Sequence, residues 1–122
     1  MFSEDKVNYI LYLCDDSETT PKQWIEEQDP LLRVISTSSP FEFLALLRTG
    51  PYICALIDRK IHVDGGYQFA KMVQETSRIP LIMISENEED TNIATTKKES
   101  HAHVESPDHT KSLIEKIREL TK

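Results

Sequence analysis

Residues 52–67 read Tyr52-Ile53-Cys54-Ala55-Leu56-Ile57-Asp58-Arg59-Lys60-Ile61-His62-Val63-Asp64-Gly65-Gly66-Tyr67, an apolar run that stops at a carboxylate and passes into a loop with two glycines. The run of five apolar residues from Ile53 to Ile57 is β-branched at both ends. That is the pattern of a strand in a parallel sheet, where helices cover both faces and no polar alternation is needed. Asp58 then falls at the strand's carboxyl end. In open α/β sheets the loops at that edge splay apart into a crevice, and ligands bind there.

The flanking chain repeats this unit. Asn8–Cys14 is a second continuous apolar strand, ending on the acid pair Asp15-Asp16. Thr19-Thr20-Pro21 caps a short helix through Trp24 and Ile25 that stops at Asp29-Pro30. Leu31–Ser36 reads as the next strand. Ser39-Pro40-Phe41-Glu42 is a capping box with proline at the first helical position, and Gly50-Pro51 ends that helix. Beyond the opening stretch, Tyr67 to about Thr76 fits a third helix and Leu81–Ile84 a fourth strand ending on Ser85. A weakly apolar fourth helix runs to about Lys98, then a strand over His101–Glu105. The last helix spans Pro107–Leu120, with Leu113, Ile114, Ile117 and Leu120 at helical spacing.

This alternation of five strands and five helices predicts an α/β fold. Right-handed crossovers give a doubly wound parallel sheet of order 2-1-3-4-5, a flavodoxin-like three-layer sandwich. With 122 residues the chain is expected to form a single domain, residues 1–122. Acidic residues exceed basic ones by 21 − 14 = 7, which argues against nucleic-acid binding. Neither a secretory signal nor a membrane-spanning run is visible, so the cytoplasm is the expected location. Cys14 and Cys54 sit in apolar runs, as reduced cysteines do.

With the strands in that order, Asp15, Asp16, Asp58 and Ser85 converge at one edge. Carboxylates so close repel one another unless a cation intervenes, and an all-oxygen donor set suits a hard ion such as Mg²⁺.

The arrangement resembles the receiver domain (CheY-like) of two-component response regulators, over nearly the whole chain. The carriers are Tyr12-Leu13-Cys14-Asp15-Asp16, Cys54-Ala55-Leu56-Ile57-Asp58 and Leu81-Ile82-Met83-Ile84-Ser85, with spacings 58 − 16 = 42 and 85 − 58 = 27. The resemblance implies that Asp58 accepts a phosphoryl group from a sensor histidine kinase or phosphotransfer protein. It implies Mg²⁺ held by Asp15, Asp16, Asp58 and the Lys60 carbonyl. Ser85 would bond the phosphoryl group and bias a surface read by a downstream protein partner. Such a chain is a phosphoryl acceptor in a phosphorelay rather than a turnover enzyme, with no nucleic-acid or membrane partner and room for a homodimer.

Departures from the family pattern accompany the matches. The family's lysine falls at Ser106 in Val104-Glu105-Ser106-Pro107, and the residue after Ser85, usually small, is Glu86. Two cations follow Asp58 directly, so Lys60 is a candidate substitute for the missing lysine, with Arg59 the second choice. The alternative is a receiver-like interaction module no longer controlled by phosphorylation. A small α/β enzyme or flavin carrier would show an Asp-x-Asp nucleophile or a Ser/Thr/Gly-rich phosphate loop, and neither is present.

Overall fold

The computed structural model describes residues 6–14, 20–58, 75, 78–85, 99–103 and 107–121. Strands β1 (Asn8–Leu13), β2 (Leu32–Thr37), β3 (Tyr52–Asp58), β4 (Leu81–Ser85) and β5 (Glu99–His103) form one sheet in the order β2-β1-β3-β4-β5. Every neighbouring pair is parallel. Helix α1 (Thr20–Gln28) joins β1 to β2, and α2 (Pro40–Thr49) joins β2 to β3. The C-terminal helix (Pro107–Leu120) follows β5. The expected third and fourth helices lie outside the described residues.

The apolar runs of β1 and β3 have the burial that such runs require. Ile10, Tyr12, Cys54, Leu56, Ile82 and Ile84 face α1 and the C-terminal helix, whose Ile25, Leu113 and Ile117 are fully or almost fully buried. Leu11, Leu13, Ala55, Ile57 and Met83 face the opposite way, against Phe43 and Leu47 of α2. One strand thus feeds two cores, because successive side chains leave it on opposite sides.

The capping signal of α2 forms as expected. Ser39 is the N-cap, its hydroxyl accepting the Glu42 N–H at 3.3 Å, with Pro40 in the first turn. At the other end Gly50 is extended (φ −99°, ψ 154°) and its N–H donates to the Leu46 carbonyl at 2.8 Å. Gly50 is needed for a different reason than a left-handed cap: a Cβ there would run into the Tyr52 ring.

The last strand differs from the sequence expectation. It covers Glu99–His103 rather than His101–Glu105, in step with β4 from Leu81↔Glu99 to Ser85↔His103. Pairing with β4 sets this register, and the polar segment Glu99-Ser100-His101-Ala102-His103 carries little apolar pattern to mark its ends. Two smaller shifts follow the same logic, β1 ending at Leu13 and β2 running Leu32–Thr37.

An ion pair ties the last helix to the first. Arg118 Nη2 donates to Asp29 Oδ2 at 2.7 Å, while Asp29 Oδ1 accepts the Leu31 N–H at 3.1 Å. The Asp29 backbone carbonyl accepts the Leu32 N–H at 3.0 Å, so one residue both shapes the turn into β2 and holds the C-terminal helix. The Arg118 side chain is 48% exposed and that of Asp29 only 10%. Water screens the arginine, whereas loss of the carboxylate also strips the Leu31 N–H of its acceptor. Asp29→Ala is therefore expected to cost about 2 kcal/mol and Arg118→Met about 1 kcal/mol or less, read from urea unfolding. A larger loss in Arg118→Met than in Asp29→Ala contradicts this division of roles.

Candidate functional site

The site is built on the carboxyl ends of the three central strands. β1 and β3 run in register to Leu13↔Ile57, and β3 and β4 to Asp58↔Ile84. Cys14 extends β1 by one residue, its N–H donating to the Thr37 carbonyl at 3.0 Å. Cys14, Asp58 and Ser85 therefore stand at one edge of the sheet, each closing its strand. Strand alternation puts Asp58 on the same side as Cys54 and Leu56.

Asp58 is 7% exposed, in a strand whose preceding residues from Ile53 to Ile57 are all buried. Burying a carboxylate costs free energy that its interactions must offset, which sets Asp58 apart from the apolar residues before it. Ser85 is placed as the final residue of β4, paired with His103 of β5. Asp15, Asp16, Arg59, Lys60, Glu86 and Ser106 lie outside the described residues, as does the Ser106-Pro107 peptide. Among the described residues no group of three or more His, Cys, Asp or Glu is placed to hold a metal ion. The Asp58 carboxylate itself suits a hard divalent ion, being a buried oxygen donor at an edge where chains separate.

The strand behind Asp58 runs through the core, with Cys54, Ala55, Leu56 and Ile57 fully buried. Burial pushes the Cys54 thiol up to about 12, and the S–H it donates to the Ala55 carbonyl at 3.7 Å belongs to the protonated form. The thiol therefore stays protonated in the fold, whereas in the unfolded chain it ionises near its ordinary value of 9.0. Its contribution to stability is complete below about pH 9 and is lost as pH rises towards 12, by about 1.4 kcal/mol per pH unit. The expected observation is a steeper alkaline loss of stability in the parent than in Cys54→Ala. Parallel alkaline profiles contradict it. Cys14 and Cys54 are buried thiols outside any disulfide, so neither is expected to react with iodoacetamide at pH 8 until urea unfolds the chain.

Some features here have no sequence signal. Cys14, read as a core hydrophobe, also follows the last β1–β3 pair, Leu13↔Ile57, by one residue, as Asp58 does on β3. Thr110, in the C-terminal helix, is wholly buried, and its hydroxyl oxygen has no hydrogen-bond partner among the described residues. Helical spacing puts Thr110 on the stripe of Leu113, Ile114 and Ile117, but spacing cannot reveal whether a hydroxyl finds a partner.

No protein-family model matches the chain, and no curated protein does. Solved structures do. A CheY-like response regulator receiver domain protein from Methanospirillum hungatei JF-1 superposes with a TM-score of 0.68 at 21% identity, covering 94% of this chain and 97% of that one. The CheY-like receiver domain from Methylobacillus flagellatus gives a TM-score of 0.71 at 12% identity, over 92% of this chain and 98% of that one. The chemotaxis response regulator CheY4 of Vibrio cholerae gives 0.65 at 16% identity, over 92% and 99%. The chain has the response regulator receiver fold. In open parallel sheets the carboxyl edge is the crevice side, and Asp58 and Ser85 end β3 and β4 there. Among the described residues no helix is long and apolar enough to cross a membrane.

Proposed function

We propose that this chain is a phospho-accepting receiver in a two-component phosphorelay, with Asp58 as the acceptor. The observation that carries this reading is a buried carboxylate closing the central strand of a receiver fold, between the ends of β1 and β4. A carboxylate oxygen of Asp58 forms a bond to phosphorus as the P–N bond of a phosphohistidine breaks, and the imidazole nitrogen departs with the bonding pair and takes up a proton. Phosphoryl transfer asks little of a protein beyond neutralisation of charge and in-line positioning, the second of which a strand end supplies.

In this reading Asp15, Asp16, Asp58 and the Lys60 carbonyl would hold Mg²⁺, which offsets the charge on the phosphoryl oxygens when bound. Ser85 would donate a hydrogen bond to the phosphoryl group, and Lys60 would supply the cation lacking at Ser106. The donor is a sensor histidine kinase or phosphotransfer protein, the reader a downstream protein, and the setting the cytoplasm. The chain accepts a phosphoryl group and does not turn over substrate.

Incubation with Mg²⁺ and acetyl phosphate, followed by intact-mass measurement, tests this. A gain of one phosphoryl group is expected. No gain in a folded, Mg²⁺-binding chain would instead favour an interaction module free of phosphorylation control, the reading motivated by Ser106 and Glu86.

A further inference from the structure

The outer edge of β2 is closed by a side chain from α1. β2 is the outermost strand, paired on one side only, with β1. Its inward groups are identified by the ladder continuing from Leu31 to Thr37, whose carbonyls accept the Asn8 and Cys14 N–H groups at 2.7 and 3.0 Å. Residues alternate in direction along a strand, so Leu32, Val34 and Ser36 present their N–H and C=O groups outward. The Leu32 N–H is taken by the Asp29 carbonyl at 3.0 Å. The Val34 N–H, at the centre of the row, donates to Glu26 Oε2 at 2.8 Å. Arg33 Nη1 folds back on the Leu32 carbonyl at 3.4 Å.

We infer that the Glu26 carboxylate is a plug that keeps a second copy of this chain from adding its own β2 strand, antiparallel, to this edge. The occupant follows from symmetry. Two β2 strands related by a two-fold axis through Val34 would exchange the Val34 N–H and C=O reciprocally, which makes the edge complementary to itself. Val34 is turned into the core, and Ile35, 38% exposed, is the apolar side chain that an incoming strand would meet. Glu26 is well placed to oppose it. An ionised carboxylate is a stronger acceptor than the peptide carbonyl of an incoming strand, and its charge repels the identical Glu26 of the other copy.

The test compares the parent, Glu26→Gln and Glu26→Ala by sedimentation equilibrium over a concentration series. Glu26→Ala is expected to self-associate about tenfold more tightly than the parent. Glu26→Gln keeps an acceptor oxygen for Val34 and is expected to fall nearer the parent. Adding Ser36→Pro to Glu26→Ala removes an outward N–H from the same edge and is expected to restore the parent's behaviour. Equal self-association of Glu26→Ala and parent overturns the inference, as does association that survives Ser36→Pro. Hydrogen exchange on the parent checks the contact on which the plug depends. The Val34 amide is expected to exchange about tenfold or more slowly than the outward amide of exposed Ser36, and equal rates overturn the plug.

Discussion

The Asp58→Asn variant is expected to gain no phosphoryl group from acetyl phosphate and Mg²⁺ under conditions in which the parent gains one. The change is nearly isosteric, so the strand and the packing of Leu56 and Ile57 behind it are preserved. What is lost is the anionic oxygen, because a neutral amide oxygen is too weak a nucleophile to capture a phosphoryl group. The loss should be complete within detection rather than partial, because in this reading Asp15 and Asp16 hold Mg²⁺ and Asp58 alone accepts the group. The melting temperature is expected to stay within about 5 °C of the parent, which separates lost chemistry from lost fold. Retained uptake at the parent's rate would move the acceptor to another residue.

The second large effect is on stability. Phe43→Ala is expected to cost about 3–5 kcal/mol in urea unfolding, a large share of the stability of a domain this size. Phe43 is fully buried between α2 and the β1–β3 face of the sheet, against Leu11, Leu13 and Ile57. Two residues earlier, Phe41 is 86% exposed in the first turn of the same helix, so Phe41→Ala should change stability by no more than about 0.5 kcal/mol. The same residue type on one helix then gives effects that differ several-fold, set by which face is turned to the sheet. Similar losses in the two variants would mean that α2 is rotated from the orientation described.

Much of this fold was legible from the residues, and the reasons are local. The runs Ile10–Leu13 and Ile53–Ile57 had to be covered on both faces, which requires helices on both sides of a parallel sheet. Ser39-Pro40 and Gly50-Pro51 bracketed α2 because caps and stops act through the adjacent backbone. The bounds of β5 were not legible. An edge strand such as Glu99–His103 takes its register from its neighbour, and its own alternation is weak. Asp58 and Ser85 were legible as strand ends, since abrupt polarity after an apolar run marks the carboxyl edge. The Glu26–Val34 and Asp29–Arg118 contacts were not, because each joins residues whose proximity exists only after helix and strand have docked. The likeness to known receivers lies in shape, at 12–21% identity for the structures compared, so the residues at the edge must speak for the chemistry.

The central claim is that Asp58 carries the phosphoryl group, and an acyl phosphate can be trapped where it forms. After exposure to acetyl phosphate and Mg²⁺, borohydride reduction converts a phosphorylated aspartate to homoserine, and peptide mass spectrometry locates it. Homoserine at position 58 and at no other aspartate is the predicted result. A folded chain that yields none there, or yields it elsewhere, contradicts the account.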